Sequence, residues 1–171
     1  MAIFSQCDPG QGDELGEDIE LRRGREGDAA AIRSLIREAY AKWVPVIGRE
    51  PKPMAADYEA AILRHRFDLL YIAGALVALI ETVDEGDRLL IENLAVAPDF
   101  QRRGLGAKLM AHAEEIARSK GYDQLRLYTN RRFTGNVELY MRIGYAVDSD
   151  EDIGGGLIRT NMSKTMIRTS Q

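Results

Sequence analysis

The stretch IENLAVAPDFQRRGLGAKLM, residues 91–110, decides how this chain is expected to fold. An apolar run ends before Pro98, a short polar loop rich in glycine follows, and apolar residues then recur at helical spacing. Alternation and apolar runs are typical of strands, whereas a period of 3.6 residues is typical of helices. The stretch therefore predicts a strand ending at Val96 that leads through a tight loop into a long helix over residues 104–120.

The loop between these two elements has the features of an anion site. Backbone N–H groups at a helix start have no intrahelical partner and lie at the positive end of the helix dipole. Glycines at two positions remove side chains that would hold a phosphate away, and one glutamine and two arginines add donors and positive charge. Together these features predict a pyrophosphate cradle.

Three kinds of nucleotide site have loops of this general type. A P-loop needs Lys followed by Ser or Thr after its last glycine, but residues 107–109 after Gly106 are Ala-Lys-Leu. A dinucleotide fingerprint needs Gly or Ala three residues after its second glycine, and Leu109 stands there. QRRGLG at 101–106 fits the acyl-coenzyme A pattern Q/R-x-x-G-x-G/A without a mismatch.

The sequence patterns on either side of residues 91–110 predict further helices and strands with short connections. The expected helices begin at the N-cap Asp28, span 57–66, and span 136–143, and the segment 44–54, with three prolines, is expected to be a loop. The expected strands are 19–23, a hairpin broken at Gly74, residues 88–96, residues 124–129, and two C-terminal strands separated by the glycines at 154–156.

This order predicts an α/β (α+β) fold with a mixed, mostly antiparallel twisted sheet of about seven strands and helices on both faces. The strands at 88–96 and 124–129 flank a helix, so they need a crossover and should be parallel. The length of 171 residues suits one domain. We expect a flexible acidic tail at 1–18 and a single domain at 19–171.

Charge and composition exclude several classes of function. The net charge is −4, but residues 1–18 hold five acids and no base, which leaves 22 acids against 23 bases in the remainder. A nearly neutral body argues against nucleic-acid binding, which needs a broad basic surface. The longest nearly apolar run, Leu69–Ile80, is too short to span a membrane, and the first ten residues do not resemble a secretory signal.

Cysteine and histidine are scarce. Cys7 is the only cysteine, so no intrachain disulfide can form, which fits a reducing compartment. We therefore expect a cytoplasmic protein. His65 and His112 are too few and too far apart for a His/Cys metal cage, so no metal is expected.

Over about residues 19–167 the chain resembles the GNAT superfamily of N-acetyltransferases. The resemblance is carried by the stretch at 91–110 and by VELYMRIGY at 137–145. It implies that the two parallel strands splay apart and that acetyl-CoA lies in the resulting V, with its pantetheine along the first strand and its pyrophosphate on the amides of 102–107. The cofactor residues expected on these grounds are Leu94, Ala95, Val96, Gln101, Arg102, Arg103, Gly104, Leu105, Gly106, Ala107 and Asn136.

The resemblance also implies catalytic residues. LYMRIGY is similar to the family's LYxKxGF segment, in which the tyrosine is the general acid, and this indicates Tyr140. The family's asparagine usually precedes that tyrosine by seven residues, where this chain has Phe133; Asn136, one turn before Tyr140, could bond the pantetheine instead. Glu92 is the candidate base because a carboxylate in an apolar strand is costly unless it is paired or lines a cavity. An ion pair or an acceptor-binding role stays open for it.

The sequence says less about the acceptor pocket than about the cofactor site. The resemblance puts Tyr40, Trp43, Ile47 and Tyr58 near the acceptor pocket, although these side chains could simply pack the helices on the sheet. We expect an N-acetyltransferase that acts by direct amine attack, on an amine-bearing small molecule or a protein amino group. A non-catalytic acyl-CoA-binding regulatory module, or transfer of another acyl group, is the alternative. Analogy with the family also allows a homodimer through the C-terminal strands.

Overall fold

The computed structural model describes residues 18–167. Residues 1–17, nearly all of the expected acidic tail, lie outside the described residues. The described residues form five α-helices and seven strands, which follow the expected order apart from the additional short helix Val44–Ile47. The helices are α1 (Ala29–Tyr40), α2 (Val44–Ile47), α3 (Tyr58–Arg64), α4 (Leu105–Ser119) and α5 (Thr134–Arg142). The strands are β1 (Ile19–Arg23), β2 (Arg66–Ile72), β3 (Ala75–Asp84), β4 (Leu89–Val96), β5 (Gln124–Asn130), β6 (Ala146–Asp152) and β7 (Ile158–Thr165).

The strands form one sheet in the order β1-β2-β3-β4-β5-β7-β6. Each neighbouring pair is antiparallel except β4 and β5, which are parallel, so the predicted mixed sheet is confirmed. Helix α4 packs in the apolar cluster on one face of the sheet, and α1 and α3 pack in the cluster on the other. Consecutive strand residues such as Leu69 and Leu70 pack in opposite clusters, because side chains alternate between the two faces of a sheet.

The parallel pair separates part of the way along. Pairing between β4 and β5 runs only from Leu89 with Leu125 to Ile91 with Leu127. On the other side of β4, Asn93 is opposite Glu81 and Ile91 is opposite Thr82, so Glu92 is the extra residue of a β-bulge. A bulge bends its strand and increases the local twist. The bulge therefore lies where β4 leaves β5, and the expected splay is confirmed.

Two local expectations are corrected. The segment 44–54 is partly helical, since α2 has Pro45 in its first turn, where a fixed φ suits a helix, and ends at Gly48 in the left-handed region. Asp28 does not cap α1 with its side chain. Its carboxylate instead accepts hydrogen bonds from the Arg25 amide (2.8 Å) and the Arg22 guanidinium (2.9 Å). Within residues 18–167, no helix has both the length and the apolar character needed to cross a membrane.

Candidate active site

A cavity of about 520 Å³ opens where β4 separates from β5. Three parts of the fold contribute its walls: the end of β4 with the loop into α4, the first turn of α5, and the end of α1. Of the thirteen residues predicted from the sequence, ten line this cavity, namely Leu94, Ala95, Val96, Gln101, Arg102, Gly104, Leu105, Gly106, Ala107 and Asn136. We call it the coenzyme cleft.

The loop that enters α4 presents backbone donors to this cleft. Arg102 and Gly104 both have left-handed backbone, with φ of 62° and 78°, which turns the chain sharply before the helix. The first hydrogen bond of the helix runs from Lys108 N to Gly104 O at 3.0 Å. The amides of residues 105–107 consequently have no partner within the helix, and their positive dipole end borders the cleft.

The side chains of Gln101 and Arg103, two of the expected cofactor-binding residues, make contacts within the protein. Gln101 Nε2 donates to Val96 O (3.0 Å), and its Oε1 accepts from Lys42 Nζ (2.9 Å). Desolvation, followed by the charge of Arg102, lowers the pKa of Lys42. The Arg103 guanidinium lies over the Phe100 ring at 4.8 Å and is not among the residues that line the cleft.

A second cavity, of about 260 Å³, adjoins the first. Both predicted catalytic residues, Glu92 and Tyr140, line it. Tyr40, Leu94 and Asn136 line both cavities, so the two spaces meet at these three side chains. We call the second space the acceptor cavity.

Glu92 is hydrogen-bonded by a tyrosine of β5, the strand from which β4 separates. The Tyr128 hydroxyl of β5 donates a hydrogen bond to Glu92 Oε1 across the gap between the strands. Burial, and then the bond to this carboxylate, raises the pKa of Tyr128, so its proton stays on the phenol. Because Glu92 is half-buried and lines the cavity, its second oxygen can receive a proton from a bound molecule or water.

Tyr140 reaches the acceptor cavity from α5. Its side chain is only 6% exposed, and burial raises the pKa of its hydroxyl well above the usual range. No hydrogen bond to this hydroxyl occurs within residues 18–167. The group is thus a neutral donor at physiological pH that is available to a molecule in the cavity.

Asn93, the neighbour of Glu92, anchors the helical side of the site. Asn93 Oδ1 accepts from the Tyr40 hydroxyl (2.7 Å), and its Nδ2 donates to the Tyr58 hydroxyl (3.3 Å). Tyr58 donates in turn to Pro53 O (2.6 Å). These hydrogen bonds link β4 to α1, to α3 and to the segment before α3. Sequence reasoning missed the role of Asn93, although a second polar residue in an apolar strand was a visible signal.

The four residues expected near the acceptor, three of them aromatic, lie in three different places. Tyr40 and Ile47 line the acceptor cavity, and Tyr58 is buried beneath it without lining it. Trp43 lines the coenzyme cleft and stacks on Phe133 with ring centroids 4.5 Å apart. Phe133, which occupies the family's asparagine position, thereby joins α5 to the end of α1.

A buried carboxylate on the strand next to β4 was not foreseen. Glu81 of β3 is 4% exposed, and its Oε1 lies 2.6 Å from His65 Nδ1. Desolvation raises the pKa of Glu81, although His65 opposes the effect, and the charge of Glu92 raises it further.

Comparisons with known proteins agree on one family. The sequence model of the acetyltransferase (GNAT) family matches residues 30–145. Over 59 residues, 34% of this chain, it is 37% identical to streptothricin acetyltransferase of Streptomyces lavendulae. Over 59 residues it is also 36% identical to the [ribosomal protein bS18]-alanine N-acetyltransferase of Salmonella typhimurium. These matches span 31% and 40% of the two relatives, well under half of their lengths.

Solved structures share the fold at low sequence identity. The PaiA N-acetyltransferase of Thermoplasma acidophilum, in complex with coenzyme A, superposes with a TM-score of 0.74 at 22% identity and covers 86% of this chain and 99% of that one. The ribosomal-protein-S18-alanine N-acetyltransferase of Escherichia coli gives 0.73 at 19% identity and covers 90% and 97%.

Proposed function

The chain belongs to the GNAT acetyltransferase family, and from this premise we propose that it transfers an acetyl group from acetyl-CoA to a primary amine by direct attack in a ternary complex. The observation that carries the proposal is the meeting of two cavities at Tyr40, Leu94 and Asn136. One cavity has the backbone donors of a pyrophosphate cradle, and the other has a carboxylate and a protonated phenol. A thioester and an amine could therefore meet at their junction.

The coenzyme cleft suits acetyl-CoA, which would supply the acetyl thioester. Beyond Ile91, the edge of β4 that faces β5 has lost its strand partner, so residues 92–96 can hydrogen-bond the amides of a pantetheine. The amides of 102–107 would hold the pyrophosphate. A Cβ on Gly106 would stand 3.4 Å from Leu139 Cδ2, so a larger side chain there would begin to fill the cradle.

The acceptor amine must lose a proton before it attacks. For a lysine-like amine the cost at pH 7 is about 4–5 kcal/mol, and for an α-amine of a peptide it is about 1 kcal/mol. Glu92 is the proposed base and would take this proton directly or through water. Tyr128 holds one of its oxygens, so the other is directed to the cavity.

The attack forms a carbon–nitrogen bond as the carbon–sulfur bond breaks. A β4 amide left free by the splay would stabilise the negative charge on the thioester oxygen. Tyr140 would hydrogen-bond the departing thiolate and supply its proton as the carbon–sulfur bond breaks, since burial keeps the phenol protonated at physiological pH. Cys7 is outside the described residues, and the scheme needs no acyl-enzyme.

The identity of the amine is the open part of the proposal. Among the relatives, one is named for an antibiotic and another for the alanine of a ribosomal protein. An amine-bearing small molecule and a protein amino group are accordingly both candidates. Cytoplasmic location and homodimer formation stay predictions from the sequence.

Calorimetry with acetyl-CoA, followed by thiol release in the same sample against a panel of amines, tests the proposal. Binding together with release on one class of amine is the expected result. Binding without release on any amine would favour the non-catalytic acyl-CoA-binding module, and release with a longer acyl-CoA alone would favour another acyl donor. Absence of binding would overturn the assignment of the cleft.

A further inference from the structure

The acceptor cavity carries an unbalanced charge at its open end. Arg49, Lys52 and Arg159 line it, and Glu92 is the one acidic residue in its lining. The first two are exposed and the third is half-buried, whereas Tyr140 is buried. The cations therefore lie toward solvent, and the proposed proton-transfer groups lie at the inner end.

We propose that the acceptor is a small amine that also carries a carboxylate, with its amine toward Glu92 and its carboxylate between Arg49 and Lys52. This inference rests on the proposed transfer to an amine and adds the substrate class. A carboxylate at the open end would complete two charge-assisted interactions, while the amine reaches the inner carboxylate. The two opposite charges of one zwitterion thus fix its orientation before reaction.

The pairing state of the cations supports this assignment. Within residues 18–167, neither Arg49 nor Lys52 has a carboxylate within salt-bridge distance. The neighbouring Glu50 is held by Arg37 at 2.8 Å. These two cations are consequently the ones that a ligand carboxylate can engage without first breaking an ion pair of the described fold.

Arg159 has a different role because it is already paired. Its guanidinium binds Glu151 at 2.5 Å and lies 5.3 Å from the centre of the Tyr128 ring. Tyr128 in turn binds Glu92, so a single ring separates this cation from the proposed base. Its charge is compensated by Glu151, which does not line the cavity, so Arg159 is not assigned to the ligand carboxylate.

Size and charge argue against other classes of amine. A volume of about 260 Å³ lies below the range of roughly 300–1,000 Å³ that is usual for drug-sized ligands. Polyamines and aminoglycosides carry several positive charges, which Arg49 and Lys52 would repel. In a peptide the α-carboxyl of the first residue is part of an amide, so a peptide without an acidic side chain near its N-terminus would leave both cations unpaired.

Matched pairs of amines provide the test. Each amino acid in a panel is compared with its amide, which keeps the α-amine and removes the negative charge, and each pair is assayed at equal fractions of free amine. Wild-type protein should prefer the free acid by about tenfold or more in kcat/KM, the ratio expected from one charge-assisted contact. Equal use of acid and amide, or preference for a polyamine, would overturn the proposal.

Variants that remove one positive charge test which residues cause the preference for the free acid. Arg49→Gln and Lys52→Gln should each raise KM for the free acid about tenfold with kcat nearly unchanged, and should leave the amide unaffected. Arg64→Gln, an exposed cation on α3 that lines neither cavity, is the matched control and should change nothing. A KM for the acid that stays constant in both cavity variants would refute the assignment.

A binding measurement separates failure of this inference from failure of the proposed function. Ligand-observed NMR with coenzyme A present should detect the free acid, lose it in the Arg49→Gln/Lys52→Gln protein, and lose it with rising salt. Acid binding without thiol release would preserve the carboxylate site and reject amine transfer. Thiol release on amides or peptides, with no binding of free acids, would preserve the transfer and reject the carboxylate site.

Discussion

The Tyr128 hydroxyl donates a hydrogen bond to Glu92 Oε1, and this bond crosses the gap where β5 and β4 have separated. Main-chain pairing between the two strands ends one residue earlier, at Ile91 with Leu127. The side chains of the two strands are thus hydrogen-bonded at a position where their main chains are no longer paired. The bulge lies where the strands separate, and Glu92 is its extra residue, so the carboxylate proposed as the base stands at the opening of the cleft.

Replacing Glu92 with glutamine should lower kcat/KM by about 10²–10⁴, the usual contribution of a positioned base. Glutamine keeps an oxygen that can accept the Tyr128 bond, so the strand separation should persist. Calorimetry should therefore show an unchanged affinity for acetyl-CoA. A loss of less than threefold at pH 7 would remove Glu92 as the base and leave it a structural role.

Replacing Tyr140 with phenylalanine should lower kcat while acetyl-CoA binds as before. The physical reason is that the variant lacks a donor for the departing thiolate but keeps the ring that fills the core. Because burial raises the pKa of this hydroxyl, the wild-type activity should not fall through its ionisation up to pH 10. Turnover in the variant equal to that of wild type would exclude this role.

Tyr145 provides the matched control for that experiment. Its hydroxyl is buried without a hydrogen-bond partner in the described part of the chain, and the residue lines neither cavity. Tyr145→Phe should leave kcat unchanged and raise the free energy of unfolding by about 1 kcal/mol, because it removes an unsatisfied polar group. Urea unfolding measures this difference, and a lower stability would indicate a bound water at the hydroxyl.

Elements specified by local patterns were predictable from the sequence. The apolar residues that recur at helical spacing in the predicted helix 104–120 are all buried, namely Leu105, Leu109, Ala113, Ile116 and Ala117. Gly121, directly after the predicted end of that helix, has φ of 77°. Parallel pairing of β4 and β5 followed from the crossover rule. In each case, neighbouring residues or chain connectivity alone determine the outcome.

Features set by distant contacts were not predictable. The bulge at Glu92 depends on the register between β3 and β4, and the sequence of β4 by itself does not contain it. Arg49 and Lys52 looked like residues of an ordinary loop until the helical turns of that segment placed them over the cavity.

Gly104 and Gly106 should respond differently to alanine. Gly104 has φ of 78°, where a side chain costs about 1–2 kcal/mol, so Gly104→Ala should lower stability and weaken acetyl-CoA binding through the displaced loop. Gly106 has helical backbone, and its Cβ would meet Leu139 at 3.4 Å, so Gly106→Ala should cost less stability than Gly104→Ala, while its methyl group in the cradle should weaken acetyl-CoA binding. Thermal unfolding and calorimetry on both variants check this order, and equal losses of stability would contradict it.

Asp84 should make stability sensitive to acid. At the end of β3 it accepts from Lys120 Nζ (2.9 Å), the Tyr122 hydroxyl (2.7 Å) and the Gly86 amide (2.9 Å), and these bonds lower its pKa to about 2. A carboxyl with a depressed folded pKa stabilises fully above its unfolded value of about 3.9. That contribution is lost as the pH falls from about 4 to about 2.

Asp84→Asn should therefore flatten the dependence of the unfolding free energy on pH in this window, with little change in its slope between pH 6 and 8. Urea unfolding at a series of pH values measures both slopes. Asp99→Asn, an exposed carboxylate with no salt bridge in the described part of the chain, serves as the control and should leave the acid slope as in wild type. If the two variants have the same acid slope, the bonds to Lys120 and Tyr122 do not persist in solution, and the turn between β3 and β4 is not fastened to the end of α4.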